Sequence, residues 1–408
     1  MTAPASAQRE RARLTVDGRQ LSYPRTGLAF VAFEFLRSWC ELGVGKSIRV
    51  LVPAGFDEGP ARALGLDCVF ERIGFSDRWG YSLGRLVWGM RASSWLRKNA
   101  RGAPHFIPYF QNYGSLRENT VIVPDLHWRI APDADARDGL YNWWSVKGAW
   151  RPAVHWFEER CVGRARNLVV LSDFVKEQTR RGLGVAAEKI VLIPPGLPRW
   201  VTEAYDARHD AETVARYRLP RRFVLYFGRY EPRKNVRMLL DACGEILRGD
   251  PTFRCVCVGL DQPETRARFE IRDALADEAV RSAVVGLPGV DSATLASLLR
   301  LAEFSVYPSL SEGFGLPVLE AAVAGRLCLC ADNSSLREVQ QDARFRIPTT
   351  DRRAWVEKMG FYWRNAGLAR QEGLEARNLG ERYSWPRSAT QLWRLLQSSG
   401  PGRLGRSA

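Results

Sequence analysis

Short apolar runs rich in valine, isoleucine and leucine recur along the chain, separated by longer stretches whose apolar positions return at helical spacing. In the first half they begin at Arg13 (RLTV), Ser47 (SIRVLVP), His105 (HFIPYF), Thr120 (TVIVP), Asn167 (NLVVLS) and Lys189 (KIVLIP). In the second half they begin at Phe223 (FVLYFG), Phe253 (FRCVCVG), Ala283 (AVVGL), Phe304 (FSVYP) and Arg326 (RLCLCA). Continuous apolar strands alternating with helices predict parallel sheets covered on both faces, because each crossover lays a helix over the strands it joins. The sequence PPGLP at 194–198 cannot continue a helix and interrupts the alternation. The fold class expected is therefore α/β, with two doubly wound parallel-sheet domains facing across a cleft. The first spans 1–197 and the second 198–380, and a final segment at 381–408 ends in a loose tail.

Composition narrows the function classes. Apolar residues make up 46% and charged residues 26% of 408, the balance of a water-soluble globular chain. No apolar run approaches the length of a spanning helix, and the polar N-terminus lacks the apolar centre of a secretory signal, so a cytoplasmic location is expected. The net charge of +15 favours acidic partners such as a nucleotide or an anionic surface. No nucleic-acid-binding signature accompanies that charge, and no nucleic-acid partner is expected. Cys255 with Cys257 and Cys328 with Cys330 have one residue between them inside apolar runs, lie away from all four histidines, and read as core. No metal site and no cofactor are expected.

Two loops carry candidate chemistry. Residues 310–325, LSEGFGLPVLEAAVAG, place Glu312 and Glu320 around a glycine-rich turn that opens a helix. Gly313 and Gly315 let backbone approach a ligand, Pro317 suits a first helical turn, and free amides at the positive end of the helix dipole suit phosphate or sugar hydroxyls. Gly325 ends the helix. The second loop, GRYEPRKN at 228–235, follows the strand from Phe223 and carries Arg229 and Lys234. A guanidinium fork and a mobile ammonium at one strand end suit a diphosphate.

Taken in order, with GLPGV at 286–290 between them, these loops resemble those of the retaining GT-B glycosyltransferases of family 4. TGLAF at 26–30 looks like that family's glycine turn, PDLHW at 124–128 is similar to its histidine-aspartate segment, and LSDFVKE from Leu171 through IPPG at 193–196 matches its approach to the hinge. The matches run over residues 13–390.

The resemblance implies two Rossmann-like domains and transfer of a sugar, with retention, from a nucleotide-sugar donor. GDP-mannose is the donor the family favours. It implies that Glu312 faces the donor sugar, that Glu320 accepts from the ribose hydroxyls, and that Arg229 and Lys234 hold the diphosphate, with no metal needed. Gly228, the backbone of Phe314, Gly315, Leu316 and Pro317, and Gly313 would line the sugar and phosphates. Val318 would pack near the ribose, Leu287 would frame the base, and Gly27 would admit the first domain to the phosphates. Where relatives carry histidine before the aspartate, this chain has Pro124 before Asp125. His127 is then the histidine left for a place beside the sugar.

The acceptor side is read from aromatic and basic residues. Between Arg72 and Arg101, Trp79, Trp88 and Trp95 stand among Arg78, Arg85, Arg91, Arg97 and Lys98. The stretch is either a contact for an anionic membrane surface, suited to a lipid-linked glycan acceptor, or a helix pair with core tryptophans, solvated arginines and a buried face of Leu83, Leu86, Val87 and Met90. Tyr141, Trp143, Trp144, Trp150 and Trp156 form a second aromatic stretch, and YSW at 383–385 resembles the segment where the family's last helix crosses back to the first domain. The activity expected is hexosyl or deoxyhexosyl transfer to a surface glycan, at or near the inner face of the membrane. A sugar-nucleotide epimerase and a non-catalytic nucleotide-sugar-binding scaffold stay open as alternatives.

Overall fold

The computed structural model describes residues 13–22, 27–74, 80–109, 119–125, 159–160, 162–203 and 207–398. Within them the apolar runs form two sheets in which every strand pair is parallel. The first contains β1 (Leu14–Asp17), β2 (Ile48–Pro53), β3 (Val69–Ile73), β4 (His105–Ile107), β5 (Asn119–Val123), β6 (Asn167–Val170) and β7 (Ile190–Leu192), in the order β3-β2-β1-β4-β5-β6-β7. The second contains β8 (Val224–Tyr226), β9 (Cys255–Val258), β10 (Val284–Leu287), β11 (Phe304–Tyr307), β12 (Cys328–Ala331) and β13 (Arg346–Ile347), in the order β10-β9-β8-β11-β12-β13. The α/β class with two parallel-sheet domains is as expected.

The strand order decides where a ligand can sit. In each sheet the chain starts in the middle, works outward to one edge, then crosses to the other side. The order reverses between β1 and β4 and again between β8 and β11. At such a reversal the loops leaving the two neighbouring strands diverge and open a crevice at their carboxyl ends. The loops after β8 and β11 are the two singled out above.

Cys255, Cys257, Cys328 and Cys330 are buried in β9 and β12, as their apolar neighbours required. The tryptophan-rich stretch resolves toward packing. Trp88, in helix Gly80–Asn99, is fully buried and donates its indole N–H to Asp17 Oδ2 at 3.1 Å. Arg49 stacks on Trp95, 5.6 Å from the ring centroid. Met90, expected on the buried face, is 55% exposed, so the face turned to the core runs through Trp88, Ala92 and Leu96 instead. Trp79 and the stretch from Tyr141 to Trp156 lie outside the described residues. No described helix is long and apolar enough to cross a membrane.

The last helix, Trp385–Ser398, lies against helix Gly27–Glu41 of the first domain. Trp39 donates to the Ala389 carbonyl at 2.9 Å, and Trp385 meets Phe35 edge-on at 5.3 Å. Trp385 also donates to Leu197 O at 2.8 Å and Ser388 to Pro194 O at 2.6 Å. The proline-rich segment at 194–198 is thereby clamped by the end of the chain.

Candidate functional site

The loop after β8 turns through Gly228 into the short 3-10 turn Pro232–Lys234, which ends at Asn235 in the left-handed region, φ 55°. That turn swings Lys234 inward, to 6% exposure, and leaves the Arg229 side chain 68% exposed beside Glu231, 3.2 Å away. The loop after β11 carries Glu312 inward, to 8% exposure. Three donors converge on Glu312 Oε1: Lys234 Nζ at 2.5 Å, the Tyr307 hydroxyl at 2.9 Å and Arg233 Nη1 at 3.1 Å. Lys234 also donates to the Tyr307 oxygen at 2.5 Å. Two of the three ammonium N–H groups are used in this way.

Electrostatics follow from this geometry. Burial alone would raise the Glu312 pKa, but Lys234 and Arg233 outweigh it and hold the carboxyl down at about 2, so Glu312 is ionised. Burial lowers the Lys234 pKa against the pull of Glu312. For Arg233 burial opposes the charge, yet Glu312, Glu231 and Asp125 together raise its pKa. Glu320, in the second turn of helix Leu316–Val323, is different: desolvation, opposed by Lys234, lifts its pKa to about 8. At neutral pH one carboxyl of this loop is charged and paired, and the other keeps its proton.

Arg233 is the residue the sequence reading missed. It stands next to Lys234 in the same run, which was the available signal. It ties the two loops together through Ser311 O at 3.3 Å and Glu312, and is steadied within its own loop by Glu231 Oε2 at 3.0 Å. Its own carbonyl accepts from Leu310 N at 2.6 Å and Ser309 Oγ at 3.0 Å. The segment after β12 braces the other side: Ser334 Oγ accepts from Glu312 N at 3.0 Å and Ser335 Oγ donates to Glu312 O at 2.8 Å.

Backbone shape explains the glycines of the second loop. Gly315 caps helix Leu316–Val323 at φ 106°, where a side chain is strained, and a Cβ would stand 2.7 Å from Leu336 Cδ2. At Gly313 a Cβ would fall 1.9 Å from the Pro124 carbonyl oxygen and 3.3 Å from Asp125 Cβ. The PD pair of the histidine-aspartate segment therefore packs directly on the Glu312 loop. Ser172 adds a second bridge: its Oγ donates to Gly313 O at 2.7 Å and accepts from Val175 N at 3.2 Å, capping helix Asp173–Leu183. Glu338 of the second domain accepts from Asp173 N at 2.9 Å and Phe174 N at 2.7 Å on the same helix terminus.

The other candidates fall as follows. Gly27 opens helix Gly27–Glu41 and faces Leu316, whose Cδ1 is the atom nearest to where a Cβ would stand, 3.9 Å away. Gly228 lies beside Tyr226 and Tyr307. Phe314 is buried edge-on against Tyr383 at 5.3 Å, and Val318 is buried, whereas Leu316 and Pro317 are half-exposed in the first helical turn. Leu287 ends β10, and its carbonyl accepts from Gly259 N at 2.9 Å and Asp261 N at 3.0 Å, joining the ends of β9 and β10. His127 lies outside the described residues. Among the described residues no three His, Cys, Asp or Glu side chains cluster as a metal site would require.

Two parallel-sheet domains meeting at the switch-point loops define the GT-B class of protein. The arrangement matches the sucrose-phosphate synthase of Thermosynechococcus elongatus with a TM-score of 0.74 over 94% of this chain and 98% of that one, at 16% identity. The family model Glycosyltransferase Family 4 matches residues 26–199, and the model Glycosyl transferases group 1 matches residues 221–365. The chain belongs to the family 4, group 1 glycosyltransferases. It is 26% identical over 244 residues to a D-inositol 3-phosphate glycosyltransferase of Jonesia denitrificans, covering 58% of this chain and 57% of that protein. It is 28% identical over 251 residues to a phosphatidyl-myo-inositol mannosyltransferase of Mycolicibacterium smegmatis, covering 60% of each. The chain thus spans less than two thirds of the length of these relatives.

Proposed function

We propose that the chain transfers a hexosyl group, mannose favoured, from a nucleoside-diphosphate donor to a hydroxyl of a glycan or lipid-linked glycan, with retention at the anomeric carbon. The observation that carries the reading is the convergence of Lys234, Arg233 and Tyr307 on one oxygen of Glu312 at the β8/β11 switch point, with Arg229 at the rim. Such a site gathers positive charge where a diphosphate departs, and it fixes a carboxylate beside the sugar. The mannosyltransferase relative supports mannose, and exposed Arg91, Arg97, Lys98 and Arg101 around helix Gly80–Asn99 support an anionic acceptor.

In this reading the acceptor oxygen attacks the anomeric carbon from the face that the diphosphate leaves. The sugar–phosphate C–O bond breaks as the new glycosidic bond forms, and the acceptor proton passes to the departing phosphate oxygen. Lys234 contributes its third N–H and Arg229 its guanidinium to the growing negative charge. Glu312 is held ionised by its partners, which suits it to accept from a sugar hydroxyl rather than to act as an acid. Glu320, protonated near neutrality, meets the ribose hydroxyls. Their hydrogen bonds favour its ionised form, so donor binding should release a proton.

The test is a panel of UDP-, GDP-, dTDP- and ADP-sugars read by thermal shift and by product analysis with glycan acceptors, with and without EDTA. The donor that binds should raise Tm. It should give an α-configured product from an α-donor without added metal, and calorimetry in buffers of different ionisation enthalpy should register the released proton. Glu320→Ala should weaken donor binding and abolish transfer. Full activity in that variant, or interconversion of the donor without any acceptor, would overturn the reading.

A further inference from the structure

Away from the cleft, a pair of thiols sits at the edge of the first sheet. Cys40 lies in the last turn of helix Gly27–Glu41 and is half-buried. Cys68 immediately precedes the edge strand β3 and is 4% exposed. Their sulfur atoms are 3.4 Å apart although the residues are separated by 28 positions. That is close to van der Waals contact, and closure requires the sulfurs to approach to the 2.0–2.1 Å of a covalent bond. The turn between them is tightly packed: a Cβ on Gly45 would stand 2.7 Å from Cys40 Sγ and 2.7 Å from the Asp67 carbonyl. The glycine lets the helix end and the approach to β3 share one small space.

We propose that Cys40 and Cys68 form a thiol pair that closes to an intrachain disulfide on exposure to a small-molecule disulfide oxidant. Cys40 is the less buried of the two residues, half-buried where Cys68 is 4% exposed, so it reacts first. Its thiolate attacks one sulfur of the oxidant RSSR and expels RS⁻, leaving a Cys40 mixed disulfide. Cys68, once deprotonated, attacks the Cys40 sulfur of that mixed disulfide and expels the second RS⁻. The two protein thiols are oxidised by two electrons and RSSR is reduced to two RSH. The direction of ionisation agrees with this order. Hydrogen bonding from Cys68 lowers the Cys40 pKa, opposed by burial and by the Asp67 and Glu41 carboxylates, while Cys40 and burial raise that of Cys68.

The second close pair in the fold marks the contrast. Cys255 and Cys257 are 3.7 Å apart, but both are fully buried at neighbouring same-face positions of β9, which is paired on both sides, by β10 and β8. An oxidant has no route to them in the folded protein. The sulfur distance alone therefore does not define a reactive pair; the distance together with a half-buried partner does.

The experiment treats the folded full chain with oxidised glutathione, blocks remaining thiols with an alkylating reagent and maps disulfides by peptide mass spectrometry. The expected product is a Cys40–Cys68 cross-linked peptide that disappears on reduction, with Cys255 and Cys257 still alkylated only after unfolding. Cys68→Ser should stop the reaction at the Cys40–glutathione adduct, and Cys40→Ser should suppress modification of Cys68. Circular dichroism and Tm of both variants in the reduced state check that they fold. A wild-type chain that accumulates the Cys40 adduct without closing, or leaves both thiols alkylatable after prolonged exposure, overturns the proposal. So does a Cys68→Ser chain that cross-links Cys40 to another cysteine as readily.

Discussion

At the scale of single residues, Glu312 and Lys234 are each costly to bury and together form the centre of the candidate site. Removing one partner of a buried ion pair leaves the other uncompensated, at about 3–5 kcal/mol. Arg233 remains near Glu312, so Lys234→Ala should cost about 3 kcal/mol at pH 7, measured by urea unfolding. The pH dependence has a definite sign. Glu312 titrates at about 2 in the folded chain against 4.5 as a free carboxyl, so its stabilisation is present above pH 4.5 and is lost as pH falls through about 2. The deficit of Lys234→Ala should therefore shrink on acidification. A deficit independent of pH would mean that the variant fails through packing and not through charge.

The pairing of Glu312 with Lys234 was not legible in the chain, although both residues were. A loop sequence states which charges are available but not which way a 3-10 turn aims them. The positive φ of Asn235 turns Lys234 into the protein and leaves Arg229 outside. Adjacency to Lys234 is the one local mark on Arg233, and in a basic chain that adjacency does not separate a partner of Glu312 from a solvated charge.

At the scale of elements, the strands legible in the sequence are those with a continuous apolar run, most of them buried on both faces, with β7 and β10 the edge strands among them. The two that were missed, β3 and β13, are the outer strands beside β2 and β12. β3 reads VFERI with two of its five residues exposed, and β13 is only Arg346–Ile347, so neither presents an apolar run. An edge strand needs only one covered face and one paired side, and its sequence is correspondingly mixed. The loop of Gly315 allows a sharper test. At φ 106° an alanine is strained, and its Cβ would also press on Leu336. Gly315→Ala should lower stability by about 1–3 kcal/mol and, if the proposed donor site is right, weaken nucleotide binding, because Gly315 opens the helix that follows the Glu312 loop. Differential scanning calorimetry with and without nucleotide reads both effects. An unchanged nucleotide-induced shift in Tm would remove Gly315 from the site.

At the scale of the whole molecule, the two domains touch at small, specific points: Gly313 on Pro124, Ser172 on Gly313, and Glu338 on the amides of Asp173 and Phe174. The final helix adds a much larger apolar seam around Trp385, which is 2% exposed. Trp385→Ala removes a fully packed indole and its bond to Leu197 O, at about 3–5 kcal/mol. The loss should appear in the first domain: amide hydrogen exchange in helix Gly27–Glu41 should accelerate, although the mutated residue lies near the other end of the chain. Exchange that speeds up only within Trp385–Ser398 would show the seam to be peripheral.

That seam also sets a timetable. Trp39 waits for the carbonyl of a residue 350 positions later. At the ~5–20 residues per second of ribosomal synthesis, the apolar side of the first domain's helix stands uncovered for roughly 20–70 s before its partner is made. For that interval the nascent first domain has a sticky face made of Phe35, Trp39 and their neighbours. A cell producing this protein has to shield that face until the last helix arrives, and a chain that terminates early would keep it exposed for good.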